Sequence, residues 1–165
     1  MAANAAPIRA CAEADLATIL EIVNDAAEAY RLVIPPDCWH EPYMSMSDLR
    51  NDVAAGVKFS EYVVDGQLVG VMGMQSVKDV DLIRHAYVRS NLRRGGIGGA
   101  LIQHLLEASD RPMLVGTWAA ATWAIEFYRR HGFKLVSTAE TPALLRRYWT
   151  ISDRQIETSV VLSLR

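Results

Sequence analysis

The 165-residue sequence has only two cysteines, Cys11 and Cys38. That is too few for a disulfide framework, and neither thiol belongs to a paired Cys/His cluster of the kind that holds zinc. Both are therefore expected to be reduced, with no metal bound. Excess charge is also nearly absent, with 17 basic against 19 acidic residues and a formal net charge of -2. Proteins that hold nucleic acid or anionic lipid over a broad surface carry a marked basic excess, so neither partner is expected and any anion site must be local. Long apolar runs are missing: nothing approaches the roughly 20 residues that cross a bilayer. The segment after the alanine-rich start is broken by Arg9, Glu13 and Asp15, unlike a secretory leader. These absences point to a soluble, cytoplasmic chain without a membrane span. No repeat, low-complexity tract or linker divides it, and with 51% apolar residues it is expected to build one core, a single domain over residues 1–165.

What is present is an alternation of strand and helix patterns. Pro7 to Ala12 reads as a short strand, and Glu13 to Tyr30 as a helix with Leu16, Ile19, Leu20, Val23 and Ala27 at helical spacing. Arg31 to Met46 is irregular, because Pro35, Pro36 and Pro42 break regular helix. Ser47 is positioned to cap a helix over Asp48 to Ala55, with Leu49 and Val53 facing inward. Lys58 to Val64 and Gln67 to Gln75 flank Asp65-Gly66, the signature of a tight hairpin. A further strand, Asp79 to Val88, runs into a glycine-rich turn and then a helix ending near Ala108. Strands over Pro112 to Thr117, Phe133 to Ser137 and Thr158 to Leu164, a helix over Thr122 to His131 and a helical turn over Ala143 to Tyr148 complete the pattern. A mixed α/β sheet flanked by helices is the expected architecture.

The chemistry concentrates in Arg93-Arg94-Gly95-Gly96-Ile97-Gly98-Gly99, between the strand and the helix. The first amides of a helix lack intrahelical partners and carry about half a positive charge, and glycine clears side chains from that mouth, so the amides of this turn suit a phosphate. No acidic residue occurs from Leu82 to Leu106, whereas Arg84, Arg89, Arg93 and Arg94 all do. The missing counter-charge is one an anionic ligand would supply. Other phosphate loops fit less well: Gly99-Ala100 stands where an ATP-binding loop needs Lys followed by Ser or Thr, and the early βαβ unit of a dinucleotide site is absent.

These residues resemble the GNAT superfamily of acetyl-CoA-dependent N-acetyltransferases. Arg93, Gly96 and Gly98 match its Arg-x-x-Gly-x-Gly motif, after the strand Ala86-Tyr87-Val88, and Ala124 to Phe133 looks like its later helix-to-strand passage. The resemblance implies an α/β (α+β) fold with a mostly antiparallel sheet of six to seven strands and about four helices. It also implies acetyl-CoA as acetyl donor. The amides of Arg94 to Gly99, with Arg93, would hold its pyrophosphate, and the Tyr87-Val88 backbone would pair with the pantetheine arm like another strand. Tyr128 would protonate the leaving thiolate. Two positions depart from the family: Ala121 stands where many members have Asn, and Leu82 where the histone-modifying branch has a glutamate base, with Asp81 one residue out of register.

An amine acceptor must lose a proton. His85, His40, Glu41 and Asp81 are the available acceptors, and His85 is favoured because its ordinary pKa of about 6.5 suits the task. Trp39, Tyr43, Trp118 and Trp149 are expected to line a small acceptor pocket, and Glu41 to bind a cationic substrate. The basic tail segment Leu144 to Glu157 is expected to meet either the acceptor or a second subunit in a homodimer. The expected activity is acetyl transfer to a primary amine of a small molecule. A non-catalytic acyl-CoA-binding module and a protein N-acetyltransferase stand as alternatives.

Overall fold

Asp65 and Gly66 take positive φ angles, 49° and 77°, and turn the chain tightly between strands β2 (Lys58–Val64) and β3 (Gln67–Val77), so that Val64 lies opposite Gln67. The computed structural model describes residues 7–92 and 95–165. Around this hairpin grows a 7-stranded sheet in the order β1-β2-β3-β4-β5-β7-β6. The remaining strands are β1 (Ile8–Ala10), β4 (Val80–Val88), β5 (Met113–Trp118), β6 (Lys134–Leu135) and β7 (Ser159–Leu164). Among the described residues only the β4–β5 pair is parallel, and the crossover between them carries helix α3 (Ile97–Ala108).

The described residues contain six α-helices rather than about four. Besides α3 they are α1 (Leu16–Ala27), α2 (Met46–Ala54), α4 (Thr122–Arg130), α5 (Thr141–Tyr148) and α6 (Asp153–Glu157). The expected helix over residues 13–30 is α1 with a single 3-10 turn at each end. Helix α2 is capped by Ser45, not Ser47: the Ser45 hydroxyl accepts from the Asp48 amide at 3.1 Å while Asp48 accepts from the Ser45 amide at 3.0 Å. This reciprocal box outcompetes a lone serine further along because it satisfies two orphan amides at once. Val53, expected to face inward, is 38% exposed. The expected last strand pair shrinks, since β6 contributes only Lys134 and Leu135 to the edge beside β7.

Alternation along the strands builds two cores. On one face Ile83, Met113, Val115 and Leu162 meet Ile97, Leu101, Ile102 and Leu105 of α3 and Tyr128 of α4. On the other, Phe59, Leu68 and Val71 pack under α1 and Leu49 of α2, while Leu82, Leu114 and Val161 pack under Leu145 of α5 and Ile156 of α6. No helix of the described residues is long and apolar enough to cross a membrane.

Candidate functional site

The site begins with a fault in β4. Gly73 pairs with Arg84 but Val71 pairs with Tyr87, so β4 spends one more residue than β3 between those rungs. The extra residue is taken up at His85, which has a φ of 54°. Neighbours on a regular strand point to opposite faces, yet Arg84 and His85 both reach Asp52 of α2, the histidine Nε2 at 2.7 Å from its Oδ2. That is the geometry of a bulge. Beyond it the facing is reset: Ala86 and Val88 pack against the α3 core, and Tyr87 against the α1 side.

The same fault separates β4 from β5. Their parallel pairing covers only Asp81, Leu82 and Ile83 of β4, and past the bulge the strands diverge. The Arg89 amide donates to Val69 of β3 at 2.9 Å. Alternation therefore turns the Val88 N–H toward the gap, a free strand edge able to pair with an extended guest. A cleft of about 100 Å³ opens there, lined by Tyr30, Tyr43, His85, Tyr87, Trp118 and Tyr128 among others. It is well below the roughly 300–1,000 Å³ of pockets that enclose a whole drug-sized molecule, so it has room for reacting ends only.

The mouth of α3 adjoins this edge. A side chain at Gly70 would press on Ile97 at 2.8 Å and on Val88 at 3.4 Å, so the glycine lets the first residue of α3 settle beside the end of β4. The helix opens on Gly96, with φ 80° and ψ 2°, no side-chain cap and no acidic residue in its first turn. A Cβ on Gly96 would meet nothing within 4 Å, whereas one on Gly98 would touch Phe127, and one on Gly99 His131, at 3.4 Å. Gly96 thus leaves open space at the amides, and Gly98 and Gly99 admit α4. Arg93 and Arg94 lie outside the described residues. Arg84 and Arg89 do not join the mouth: Arg84 binds Gln75 and Asp52, and Arg89 binds the Leu68 carbonyl and approaches Glu21.

Of the residues expected to carry chemistry, the cleft gathers Tyr43, His85, Tyr87, Trp118 and Tyr128. Burial, with Tyr30 nearby, pushes the Tyr128 hydroxyl far above its ordinary pKa, so it keeps its proton at all working pH values. Tyr87 is raised likewise, by burial and then by Tyr43 and Tyr30. Trp39 and Glu41 stand outside the lining. Trp39 packs on Tyr43 with ring centroids 5.6 Å apart, and Glu41 is held by Arg31 and by the Trp39 Nε1–H, so its charge is already matched. His40 is exposed. Asp81, 2% exposed, accepts from Ser76 and Ser109 and pairs with Arg111 at the far end of β4, a structural anchor rather than a base at the cleft. Leu82 and Ala121 are fully buried apolar residues.

Two members of the site were not read from the sequence. Tyr30 follows α1 and lines the cleft with its ring 6.3 Å from Tyr87 and 5.2 Å from Trp123. Asp52 holds His85. Burial alone would raise its carboxyl pKa, but the His85 hydrogen bond and the Arg84 guanidinium outweigh that and hold it below the usual range. The only sequence signal for Asp52 is its place on α2, one residue from the outward-facing Asn51, which gives no hint of a partner in β4.

Residues 58–135 match the family model of the acetyltransferase (GNAT) domain, the stretch that holds the bulge, the splayed strands and the glycine mouth. That segment, residues 58–135, is a GNAT acetyltransferase domain. Among solved structures it is similar to the PaiA N-acetyltransferase of Thermoplasma acidophilum in complex with coenzyme A, at 16% identity and a TM-score of 0.72, covering 96% of this chain and 97% of that one. It is also similar to a ribosomal-protein-alanine N-acetyltransferase of Brucella melitensis (24% identity, TM-score 0.64, 95% and 98% covered). A third likeness is to N-acetylglutamate synthase of Neisseria gonorrhoeae complexed with coenzyme A and N-acetyl-glutamate (20% identity, TM-score 0.69, 96% and 34% covered). At these identities the likeness is one of fold. No curated protein matches the chain by sequence. The helix mouth, Val88, His85 and Tyr128 fall inside the matched segment, whereas Tyr30 and Tyr43, which also line the cleft, and Asp52, which holds His85, lie before it.

Proposed function

We propose that this GNAT domain is an acetyl-CoA-dependent N-acetyltransferase that acetylates a primary amine of a small molecule by direct attack. The observation that carries the reading is the juxtaposition of the uncapped α3 mouth with the free edge of β4. The first suits a pyrophosphate and the second an amide-bearing arm, and coenzyme A joins those two chemistries in one chain. In this reading the amides from Gly95 to Gly99 hold the phosphates, together with Arg93 and Arg94, and Tyr87 and Val88 guide the arm into the cleft. The thioester carbonyl then lies among Tyr128, His85 and Trp118.

The acceptor nitrogen must be neutral to attack. His85 takes its proton, directly or through one water. Asp52 accepts the Nε2–H of His85 and so leaves Nδ1 with the free lone pair, which is the work of a positioning residue. As the C–N bond forms and the C–S bond breaks, Tyr128, which lines the cleft, donates its proton to the departing sulfur. The small cleft, walled by Tyr30, Tyr43 and Trp118, favours an amine on a slender substituent over a folded protein surface.

Thiol release from acetyl-CoA, followed over a panel of alkylamines, arylamines, amino acids and N-terminal peptides, tests this. Amine-dependent release with small amines is the expected result. Release with peptides alone would move the assignment to a protein N-acetyltransferase. Saturable acetyl-CoA binding with no turnover on any amine, alongside a working control enzyme, would favour the non-catalytic acyl-CoA module, a reading that the apolar Leu82 and Ala121 support.

A further inference from the structure

At the opposite end of α1 from the cleft, the fold brings Glu61 to two groups near the start of the described chain. Cys11 follows β1, Asp15 precedes α1, and Glu61 sits in β2 opposite Arg9. One sulfur and one oxygen from each carboxylate lie within 4.8 Å of one another. Glu61 is fully buried, at 0% exposure. Its Oε2 accepts from Arg9 Nε at 3.0 Å, but its Oε1, equally shut from solvent, has no hydrogen-bond partner among the described residues. Asp15 accepts from Arg9 Nη2 at 3.2 Å and from the Ala12 amide at 2.9 Å, and the Cys11 thiol donates to the adjacent Ala12 carbonyl at 3.3 Å. A buried carboxylate oxygen left without a donor is unfavourable, and a positive centre at that point removes the penalty.

We infer that Cys11, Asp15 and Glu61 form a binding site for a thiophilic divalent cation of the zinc type. Sulfur among the ligands selects zinc over magnesium or calcium, and three protein ligands with water in the fourth position make a common zinc arrangement. Bond lengths of about 2.3 Å to sulfur and about 2.0–2.2 Å to oxygen require the three atoms to close in by roughly an ångström. Each carboxylate oxygen has two lone pairs, so Arg9 and Ala12 keep their bonds and hold the carboxylates in place as outer partners. The charges balance: a thiolate and two carboxylates against Arg9 and a dication, with the thiol proton released to solvent on binding. The site ties the three-residue edge strand β1 and the start of α1 to β2, a bracing role separate from the transfer chemistry.

Chelator-treated full-length protein titrated with zinc by calorimetry, and with cobalt(II) by absorption, decides the matter. One equivalent is expected to bind, and cobalt is expected to show a thiolate charge-transfer band. Cys11→Ser abolishes that band and Glu61→Gln weakens binding at least tenfold, while Cys38→Ser changes neither. Should Cys11→Ser fail to fold, alkylation of Cys11 in the unmodified protein, read by peptide mass spectrometry, serves instead and is expected to slow at least tenfold with zinc. The absence of saturable binding, binding that survives Cys11→Ser, or zinc-insensitive alkylation would overturn the assignment and leave Glu61 holding a proton.

Discussion

Replacing Gly96 separates the stability of the α3 mouth from its affinity. At φ 80° any L side chain is strained, by about 1–2 kcal/mol, and because a Cβ there meets nothing within 4 Å no steric clash is added. Gly96→Ala is therefore expected to lose about 1–2 kcal/mol of folding free energy. Gly96→Asp is expected to lose no more, since Asp tolerates left-handed backbone better and its charge at a helix N-terminus returns roughly 0.3–1 kcal/mol. Ligand binding should show the opposite order. An aspartate carboxylate at the amides competes with the pyrophosphate and removes at least one hydrogen bond to a charged group, worth ~1.5–3 kcal/mol, or roughly 10- to 100-fold in affinity. Denaturant melts and acetyl-CoA calorimetry on the two variants provide both readings. Equal acetyl-CoA affinity for Gly96→Ala and Gly96→Asp would refute the phosphate assignment, however stable the proteins.

Three further outcomes are expected. Tyr128→Phe lowers kcat by about 10²-fold or more, the usual scale for loss of a general acid, with acetyl-CoA affinity unchanged; poorer leaving-group thiols should magnify the defect in stopped-flow assays. Asp52→Asn weakens the grip on His85 and lowers kcat more than it raises KM. Because the Asp52 pKa is lowered from 3.8 in the fold, its contribution to stability is complete above the ordinary carboxylate value and lost as pH falls through the depressed one. The stability gap between wild type and Asp52→Asn therefore closes as pH falls below about 3.8, which acid denaturation followed by circular dichroism would check. Leu101→Ala, at a site with 0% exposure in the α3 core, costs about 2–5 kcal/mol by chemical denaturation and should leave acetyl-CoA affinity intact wherever the protein remains folded.

Much of the architecture is legible in residue order because it depends on short-range rules. Asp65-Gly66 specifies its hairpin through backbone angles alone, and the limits of β2 are those read from alternation. The glycine mouth is legible for the same reason, as a local matter of missing side chains and missing carboxylates. Reading falters where two local solutions compete. Ser45 and Ser47 both suit a cap, and the winner is the one whose partner Asp48 stands three residues on. The five-residue α6, held by its own Ser152–Gln155 capping box, is too short to show a helical period.

Residue order alone thus determined the succession of elements, the hairpin, and an anion-seeking helix mouth bare of acidic groups, since each follows from neighbours a few positions apart. The tertiary structure decided which charged and aromatic groups meet. One extra residue in β4 turned His85 to the side of Asp52, and strand pairing brought Glu61 to Cys11 and Asp15. Side-chain facing on a sheet depends on the count of residues against a distant partner strand, and that count is not contained in any local stretch of the chain.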